Sequence, residues 1–396
     1  MNILFTLFFL FFIIIVLIFY YFEIHPYLFK KINRKYFMLS QTVSNDDFKN
    51  KVFKQALKFS KYEIPKMSLA DNTYFPIVFI REISLKIKKN NRLKNSFPRA
   101  FLLNGILDYA ISIKDEKTVR DIDNKVLKLA KETLNNSNGF NYIDQVSLGM
   151  VAIKLHGETN NPVYKNLCDR ILAYLMGNIN ETYKIVLYRE NKNFHYVDVL
   201  GMICPFILMY AEAYNRPDLI EFSNQQIEFY INKGLSISHL PYHSIELSNY
   251  TPMGSSNWGR GLGWYMLALS ATLKYTNPES NSRYSYFKNE MNVLVSSLKN
   301  FQQNHYWGQF LGISKKWHID TSVSCMIIYS MLLSGYECNL NNFYKFLKPL
   351  TRKNGAIDFT SGDTEDINLY SKEYGESELT QGILLSIFDI EKKYMQ

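Results

Sequence analysis

Cysteine is scarce in this chain of 396 residues, and its four cysteines lie far apart. Cys168, Cys204, Cys325 and Cys338 form no C-x-x-C pair, so their spacing fits neither a zinc site nor a disulfide framework. Histidine is also sparse, and no pair has the H-E-x-x-H spacing of a metal site. We therefore expect buried free thiols, which agree with a reducing compartment. We expect neither a catalytic metal nor a cofactor.

Charge is absent from the N-terminal segment, where the first charged side chain is Glu23. Residues 3–22 are apolar or aromatic except for Thr6, and such a run is long enough to span a bilayer. No Lys or Arg precedes the run and no A-x-A-like cleavage site follows it, which disfavours a secretory signal peptide. We predict an uncleaved transmembrane helix over residues 1–22, followed by a basic juxtamembrane linker over residues 23–44.

The cationic residues beside this run predict its orientation. Lys30, Lys31, Arg34 and Lys35 lie on its C-terminal side, whereas its N-terminal side carries only the terminal amine. The positive-inside rule then places the following domain in the cytoplasm, as part of a single-pass membrane protein. A periplasmic or extracellular domain is the alternative.

The net charge is +9 and the isoelectric point is near 9.0, which raises the question of an acidic partner. The lysines are scattered and form no continuous basic stripe on a predicted helix, so nucleic acid is not expected. Anionic lipid headgroups beside the predicted anchor, or an acidic oligosaccharide or polysaccharide, fit this charge better.

Strand patterns are also lacking beyond residue 95, where helix-period apolar segments alternate with short loops rich in Asn, Gly, Ser and Pro. The predicted helices are 98–113, 117–134, 142–156, 161–177, 196–214, 216–232, 258–275, 281–302, 319–335, 341–349 and 375–391. Alternate helices are apolar and rich in small residues, and their partners are more charged, with a period of roughly 45 to 60 residues. Such alternation is typical of repeated helical hairpins.

Six hairpins can close into a ring, with residues 50–60 supplying the last partner. The prediction is therefore an all-α fold, an (α/α)6 barrel over residues 45–396, with the apolar helices inside. An open solenoid of the tetratricopeptide kind, which would bind a protein partner, is the alternative, although its repeat is shorter and its residue pattern is absent.

The inner helices of such a barrel all run in the same direction, so their N-terminal ends gather at one mouth. The partial positive charge of helix N-termini favours anionic ligands there. Four ionisable residues lie at or near these helix starts: Asp144, Asp198, Arg260 and Asp320. Each aspartate could instead be an ordinary helix cap.

Asp198 differs from the other aspartates in its apolar neighbourhood. The residues around it are Val197, Val199, Met202, Ile203 and Phe206. Burial among such side chains raises the pKa of a carboxyl group and keeps a proton available for donation. Asp198 is therefore the predicted catalytic acid.

The segment NWGRGLGWYMLAL contains three glycines at positions 259, 261 and 263. Glycine destabilises a helix interior unless backbone or ligand must approach closely. Arg260 and Trp264 are four residues apart, so a helix would place on one face a cation that binds carboxylates and a ring that stacks on sugars. The alternative is a helix entry that packs against the core.

These strings resemble those of the unsaturated glucuronyl and unsaturated rhamnogalacturonyl hydrolases, glycoside hydrolase families 88 and 105. The similarity spans most of residues 95–392 and is carried by YVDVLGMICPF, LPYHSIELS, NWGRGLGWYMLAL, HIDTSVSCMIIYSM and YGESELTQGILL, in the families' order. The resemblance implies the (α/α)6 barrel, Asp198 as general acid and base, and Asp144 as a second carboxylate facing the substrate. It also implies a sugar site lined by His243, Arg260 and Trp264. We further predict that Trp258 and Asp320 line this site, because they lie at the starts of inner helices.

The chemistry that the resemblance implies is hydration of a double bond. A 4,5-unsaturated uronic acid at the non-reducing end receives a proton at C4 while water adds at C5, and the resulting hemiketal opens to release the next sugar. One carboxyl group can donate that proton and then activate the water as a carboxylate. The predicted function is thus a glycoside hydrolase acting on unsaturated uronic-acid-containing oligosaccharides. The alternative is a membrane-anchored accessory protein of polysaccharide biosynthesis or export, with a glycan-binding barrel.

Overall fold

Two layers of helices dominate the computed structural model, which describes residues 2–20, 32, 34–61, 96–135, 140, 142–188, 193–302, 306–312 and 319–394. Helix α1 is Asn2–Phe19. The outer helices are α2 (Asn45–Phe59), α4 (Glu116–Asn135), α6 (Pro162–Gly177), α8 (Asp218–Gly234), α10 (Tyr284–Phe301) and α12 (Leu340–Leu347). The inner helices are α3 (Phe97–Ser112), α5 (Leu148–Thr159), α7 (Val197–Ala213), α9 (Gly259–Tyr275), α11 (Thr321–Leu333) and α13 (Glu378–Tyr394).

Burial follows the composition of the two layers. Helix α7 is buried at every position from Val197 to Ala211 except Asp198, because apolar side chains surround its whole circumference. Helix α4 buries a single stripe and exposes its charged residues to solvent. That stripe is Thr118, Ile122, Val126, Leu129, Ala130 and Thr133. The predicted division into apolar inner and charged outer helices is confirmed.

The inner helices form a closed ring, because each packs against the next and α13 packs back against α3. The seam is tight at two glycines, since a Cβ atom on Gly105 would lie 1.9 Å from the carbonyl oxygen of Gly382. A buried ion pair joins the same two helices, with Arg99 Nη2 2.6 Å from Glu378 Oε1. Arg99 Nη1 also donates to the carbonyl oxygen of Phe59, at the end of α2. Closure confirms the all-α barrel and rules out the open solenoid.

All eleven helices predicted beyond residue 95 are present, and most of their boundaries agree within three residues. The main difference is the helix predicted from residue 142. A 3-10 turn over Ile143–Gln145 comes first, and α5 begins only at Leu148. All four cysteines are free thiols; three of them are buried as predicted, whereas Cys338 is only half-buried.

Among the described residues, three short antiparallel sheets interrupt the helical pattern, so the expectation of no strand pairs was wrong. They are β1 (Ile179–Asn180) with β2 (Ile185–Val186), β3 (Phe194–Tyr196) with β4 (Ser244–Glu246) and β5 (Thr251–Met253), and β6 (Thr360–Ser361) with β7 (Tyr374–Gly375). Strands of two or three residues are too short to show an alternating pattern in the sequence.

The predicted transmembrane helix over residues 1–22 is not supported. Within the described ranges, no helix is both long enough and apolar enough to cross a membrane.

The predicted juxtamembrane linker is only partly within the described residues, because Lys30 and Lys31 lie outside them. Its later part contacts the barrel. Arg34 Nη2 donates to Asp358 Oδ1 at 3.0 Å, and the backbone NH of Leu39 donates to the carbonyl oxygen of Thr351 at 2.8 Å. Residues 34–39 therefore pack on the barrel rather than extending away from it.

Candidate active site

A cavity of about 280 Å³ opens at the mouth where the inner helices begin. Its lining residues are Phe97, Asp144, Tyr188, Tyr196, Asp198, Met202, His243, Trp258, Arg260, Trp264, Asp363, Thr364, Glu365 and Asp366. The structure thus brings together six of the seven predicted site residues, all except Asp320. The shared direction of the inner helices explains this, because their first turns meet at one end of the ring.

A short sheet places His243 beside Asp198. Strand β3 leads directly into α7, so Asp198 is the second residue of that helix. The backbone NH of Val197 donates to the carbonyl oxygen of His243 at 3.0 Å, next to the β3–β4 pairing. As a result, His243 Nε2 lies 3.7 Å from Asp198 Oδ2.

Burial controls the protonation of this pair. It raises the pKa of Asp198 to about 7, against the opposing effect of the nearby Arg260 guanidinium. Burial also lowers the pKa of His243 to about 4. Between these two values the carboxyl is protonated and the imidazole is neutral, so their contact is not an ion pair. Asp198 therefore carries a proton that it can donate near neutral pH.

One carboxyl oxygen of Asp198 makes no hydrogen bond within the described residues. Its side chain is 21% exposed, yet its Oδ2 atom is fully buried and has no hydrogen-bond partner among the described residues. Asp144 lines the same cavity, and its charge also raises the pKa of Asp198. Tyr188 holds Asp144 in place, because the Tyr188 hydroxyl donates to Asp144 Oδ1 at 2.6 Å.

Arg260 is the one Lys or Arg among the described lining residues, and it is 95% buried. Its Nη2 atom donates to the carbonyl oxygen of Gly362, which fixes the guanidinium. Its Nε atom is buried and makes no hydrogen bond within the described part of the chain. A fixed guanidinium with an unused donor is suited to binding a carboxylate.

Aromatic rings form one wall of the cavity. The ring centroids of His243 and Trp258 are 4.5 Å apart, and Tyr370 packs against both at 5.6 and 5.4 Å. Tyr370 is itself held by the backbone NH of Ser255, which donates to its hydroxyl oxygen at 2.9 Å. The indole Nε1 of Trp258 is buried without a hydrogen-bond acceptor among the residues described, so this wall offers a ligand both a donor and a ring face.

Glycines make room for the two tryptophans. A Cβ atom on Gly201 would lie 2.6 Å from the Trp264 ring, and one on Gly261 would lie 2.6 Å from the Trp258 ring. Trp264 also packs edge-on against Phe97, and only 2% of it is exposed. In the glycine-rich segment itself, a Cβ atom on Gly259 would lie 2.5 Å from the carbonyl oxygen of Gly308, and one on Gly263 would lie 2.9 Å from Met326. The close approach inferred for this segment is therefore made by core groups, and Trp264 also belongs largely to the core.

Asp320 is the predicted site residue that does not reach the cavity. It is fully buried as the cap of α11, where its Oδ1 atom accepts from the backbone NH of Ser322 at 2.9 Å. Its Oδ2 atom accepts from the Ser361 hydroxyl. Ser361 precedes Gly362, which holds Arg260, so Asp320 supports the cavity wall from behind.

Several lining residues were not predicted from the sequence. Phe97 and Met202 are apolar residues of the inner helices α3 and α7, and Tyr196 ends β3. The others lie in loops rather than at helix starts: Tyr188, Asp363, Thr364, Glu365 and Asp366. One signal was available for the last four, since the D-T-E-D run lies in the segment leading to the last inner helix. Loops that enter inner helices share the mouth with the helix starts.

A closed ring of helical hairpins, with an acidic cavity where the inner helices begin, defines a barrel of the glycoside hydrolase kind. The family model of Glycosyl Hydrolase Family 88 matches residues 73–348, and the chain belongs to this family. The prediction of a glycoside hydrolase is thereby confirmed. No curated protein matches the chain.

Solved structures share the fold at low sequence identity. A possible member of family GH105 from Salmonella enterica serovar Paratyphi A is 15% identical with a TM-score of 0.71, covering 90% of this chain and 96% of that chain. A family 105 glycoside hydrolase from C. acetobutylicum is 18% identical with a TM-score of 0.63, covering 82% and 100%. An unsaturated glucuronyl hydrolase from Bacillus sp. GL1 is 13% identical with a TM-score of 0.62, covering 86% and 93%.

Proposed function

We propose that this glycoside hydrolase acts on an unsaturated uronic acid at the non-reducing end of an oligosaccharide, by hydrating its C4–C5 double bond. The observation that carries the proposal is the state of Asp198, a cavity carboxyl whose pKa burial raises to about 7. An ordinary aspartic acid would be ionised at neutral pH and unable to protonate an alkene carbon. The similar glucuronyl hydrolase from Bacillus sp. GL1, described as responsible for glycosaminoglycan degradation, supports this substrate class.

The reaction needs one proton donor that later becomes a base. Asp198 gives its proton to C4, and water adds to C5 while the Asp198 carboxylate takes a proton from that water. The bond between C5 and the water oxygen forms as the C4–C5 double bond becomes single, and the carboxyl group is restored. The resulting hemiketal opens and releases the next sugar, so no second carboxylate is needed as a nucleophile.

Arg260 is suited to hold the uronic acid carboxylate, because its buried Nε donor is unused within the described chain. Its charge also lowers the pKa of Asp198. A bound substrate carboxylate would neutralise that charge and so raise the pKa of Asp198 further. With substrate bound, Asp198 would then stay protonated up to a higher pH.

The size and walls of the cavity favour one terminal sugar ring. A volume of about 280 Å³ is small for a ligand site, which commonly measures about 300 to 1,000 Å³. Trp258 offers its buried Nε1 donor to a ring hydroxyl, and the ring of His243 lies beside the acid, with its Nε2 atom 3.7 Å from Asp198 Oδ2. Both features fit an enzyme that removes single residues from a chain end.

The test is consumption of the double-bond ultraviolet absorbance by the purified full chain, with several unsaturated uronyl disaccharides. We expect turnover by the wild type and none by Asp198→Asn. The matched control is Asp121→Asn, which removes an exposed carboxylate on α4 and should leave the rate unchanged. Folded wild-type protein that consumes none of these substrates, or Asp198→Asn that retains the rate, would contradict the proposal.

The alternative of an accessory protein in polysaccharide assembly was motivated by the predicted membrane anchor, and no described feature favours it over hydrolysis. The cytoplasmic location of the barrel stays a prediction from the charge pattern.

A further inference from the structure

A second cavity, of about 340 Å³, lies at the opposite end of the barrel, where the inner helices end. Its lining residues are Asp108, Lys154, Lys274, Tyr275, Tyr329, Leu332, Leu333, Ser386, Asp389, Ile390, Lys393 and Tyr394. Along α9, the rise from Gly259 at the first mouth to Tyr275 at this one is roughly 24 Å. The two cavities share no lining residue, so this one is separate from the candidate active site.

One carboxylate in this cavity has an unused oxygen. Asp389 is 4% exposed, and its Oδ2 atom accepts from Lys393 Nζ at 2.7 Å. Its Oδ1 atom is buried and has no hydrogen-bond partner in the described part of the chain. Burial, together with the charge of Asp108, raises the pKa of Asp389. An unused buried acceptor is unfavourable unless a ligand or water donates to it.

The neighbouring carboxylate, by contrast, is fully engaged. Asp108 Oδ1 accepts from Lys154 Nζ, and Asp108 Oδ2 accepts from Asn104 Nδ2 at 3.0 Å and from the Ser386 hydroxyl at 2.9 Å. These bonds hold the floor of the cavity rigidly. The available acceptor is therefore confined to Asp389, and it points to a ligand that brings a hydrogen-bond donor.

The charges of the cavity argue against an ionic ligand. Lys154 pairs with Asp108 and Lys393 pairs with Asp389, so these four charges cancel. The positive charge of Lys274 then offsets the partial negative charge at the carbonyl ends of the inner helices. With no net charge left to attract an ion, a neutral ligand with hydroxyl groups is favoured.

We propose that this second cavity binds a neutral monosaccharide, with a sugar hydroxyl donating to Asp389 Oδ1 and the sugar ring lying against Tyr275 and Tyr329. The two tyrosines and Leu332 supply the apolar surface that a sugar ring face requires. The volume is at the small end of the usual range for ligand sites, which suits one ring rather than an oligosaccharide. The proposal does not depend on the reaction assigned to the other cavity.

The experiment measures binding of glucose, galactose and rhamnose to the full chain by ligand-observed NMR titration, with glucuronate and glucosamine as the anionic and cationic comparisons. We expect saturable binding of at least one neutral sugar at about millimolar concentration, and weaker binding of both charged sugars. Asp389→Leu should weaken binding about tenfold or more, the effect of losing a hydrogen bond to a charged acceptor. Asp198→Asn, in the other cavity, should leave it unchanged.

A second variant distinguishes a direct loss of binding from a folding defect in Asp389→Leu. Ile390→Trp keeps every charge and hydrogen-bonding group of the cavity but reduces its volume, and it should also abolish binding. Absence of saturable binding by all three neutral sugars would overturn the proposal. Binding that survives both Asp389→Leu and Ile390→Trp, that is lost in Asp198→Asn, or that is tighter for a charged sugar would overturn it as well.

Discussion

Replacing Asp198 with asparagine should remove a pH-dependent loss of stability. Burial raises the pKa of Asp198 in the folded protein from 3.8 to about 7. The folded state therefore binds this proton more tightly than the unfolded state does. The resulting stabilisation is fully present below about pH 4 and is lost as the pH rises through about 7. Asparagine does not titrate, so the variant lacks this dependence.

The size of the effect follows from the pKa shift. A shift of about 3 units corresponds to about 4 kcal/mol at 1.36 kcal/mol per unit. Because the Asp198 side chain is 21% exposed, solvent reduces this value. We expect the wild type to lose on the order of 3 kcal/mol of unfolding free energy, relative to Asp198→Asn, between about pH 4 and about pH 8. His243 titrates in both proteins, so its contribution cancels in the difference.

Urea-induced unfolding of both proteins, followed by tryptophan fluorescence across this pH range, measures the difference directly. A constant offset between the two would reflect the substitution itself, whereas an offset that grows with pH reports the buried proton. Asp121→Asn, on the exposed face of α4, is the matched control and its stability curve should run parallel to that of the wild type. Parallel curves for Asp198→Asn and the wild type would refute the assignment of a raised pKa.

Three further predictions concern the cavity wall and the ring. Arg260→Gln should lower kcat/KM about 10- to 100-fold through the lost charged hydrogen bond. It should also move the alkaline limb of the pH profile upward, because Arg260 lowers the pKa of Asp198; an unmoved limb would contradict this. Asp320→Ala should destabilise the protein by about 1–3 kcal/mol in urea, since a helix cap and a buried acceptor are lost, and full stability would refute the supporting role. Gly105→Ala should cost about 1–3 kcal/mol or more, whereas the control Gly157→Ala, whose Cβ meets open space, should be neutral or stabilising.

Helix positions were the most predictable feature of this chain. The segment that forms α7 is apolar around its whole circumference, and the segment that forms α4 is apolar along one stripe. Those two patterns distinguish an inner helix from an outer one before any contact is known. Periodicity depends only on neighbours within a few turns, which explains why helix boundaries agreed within a few residues.

The candidate site was predictable only in part. Asp198 and Arg260 were found because they lie in the first turns of inner helices, which the ring direction brings together. Asp320 occupies the same kind of position, yet its carboxylate turns inward to Ser322 and Ser361. A local sequence at a helix start is compatible with either direction, because a capping aspartate and a cavity aspartate have the same spacing.

The membrane span was predicted from composition alone, from the apolar run of residues 3–22. No helix among the described residues is both long enough and apolar enough to cross a membrane, so the structure does not support that prediction.

The sequence by itself determined the barrel, its inner and outer layers, and the mouth where the reactive residues gather, because these follow from short-range periodicity and helix direction. Only the tertiary structure decided that His243 meets Asp198, since their contact depends on β3 pairing with β4 across more than forty residues of chain. It also decided how far the pKa of Asp198 rises. The apolar neighbours of Asp198 in the sequence predicted the direction of this rise, but its size depends on how completely other helices exclude water from the carboxyl group.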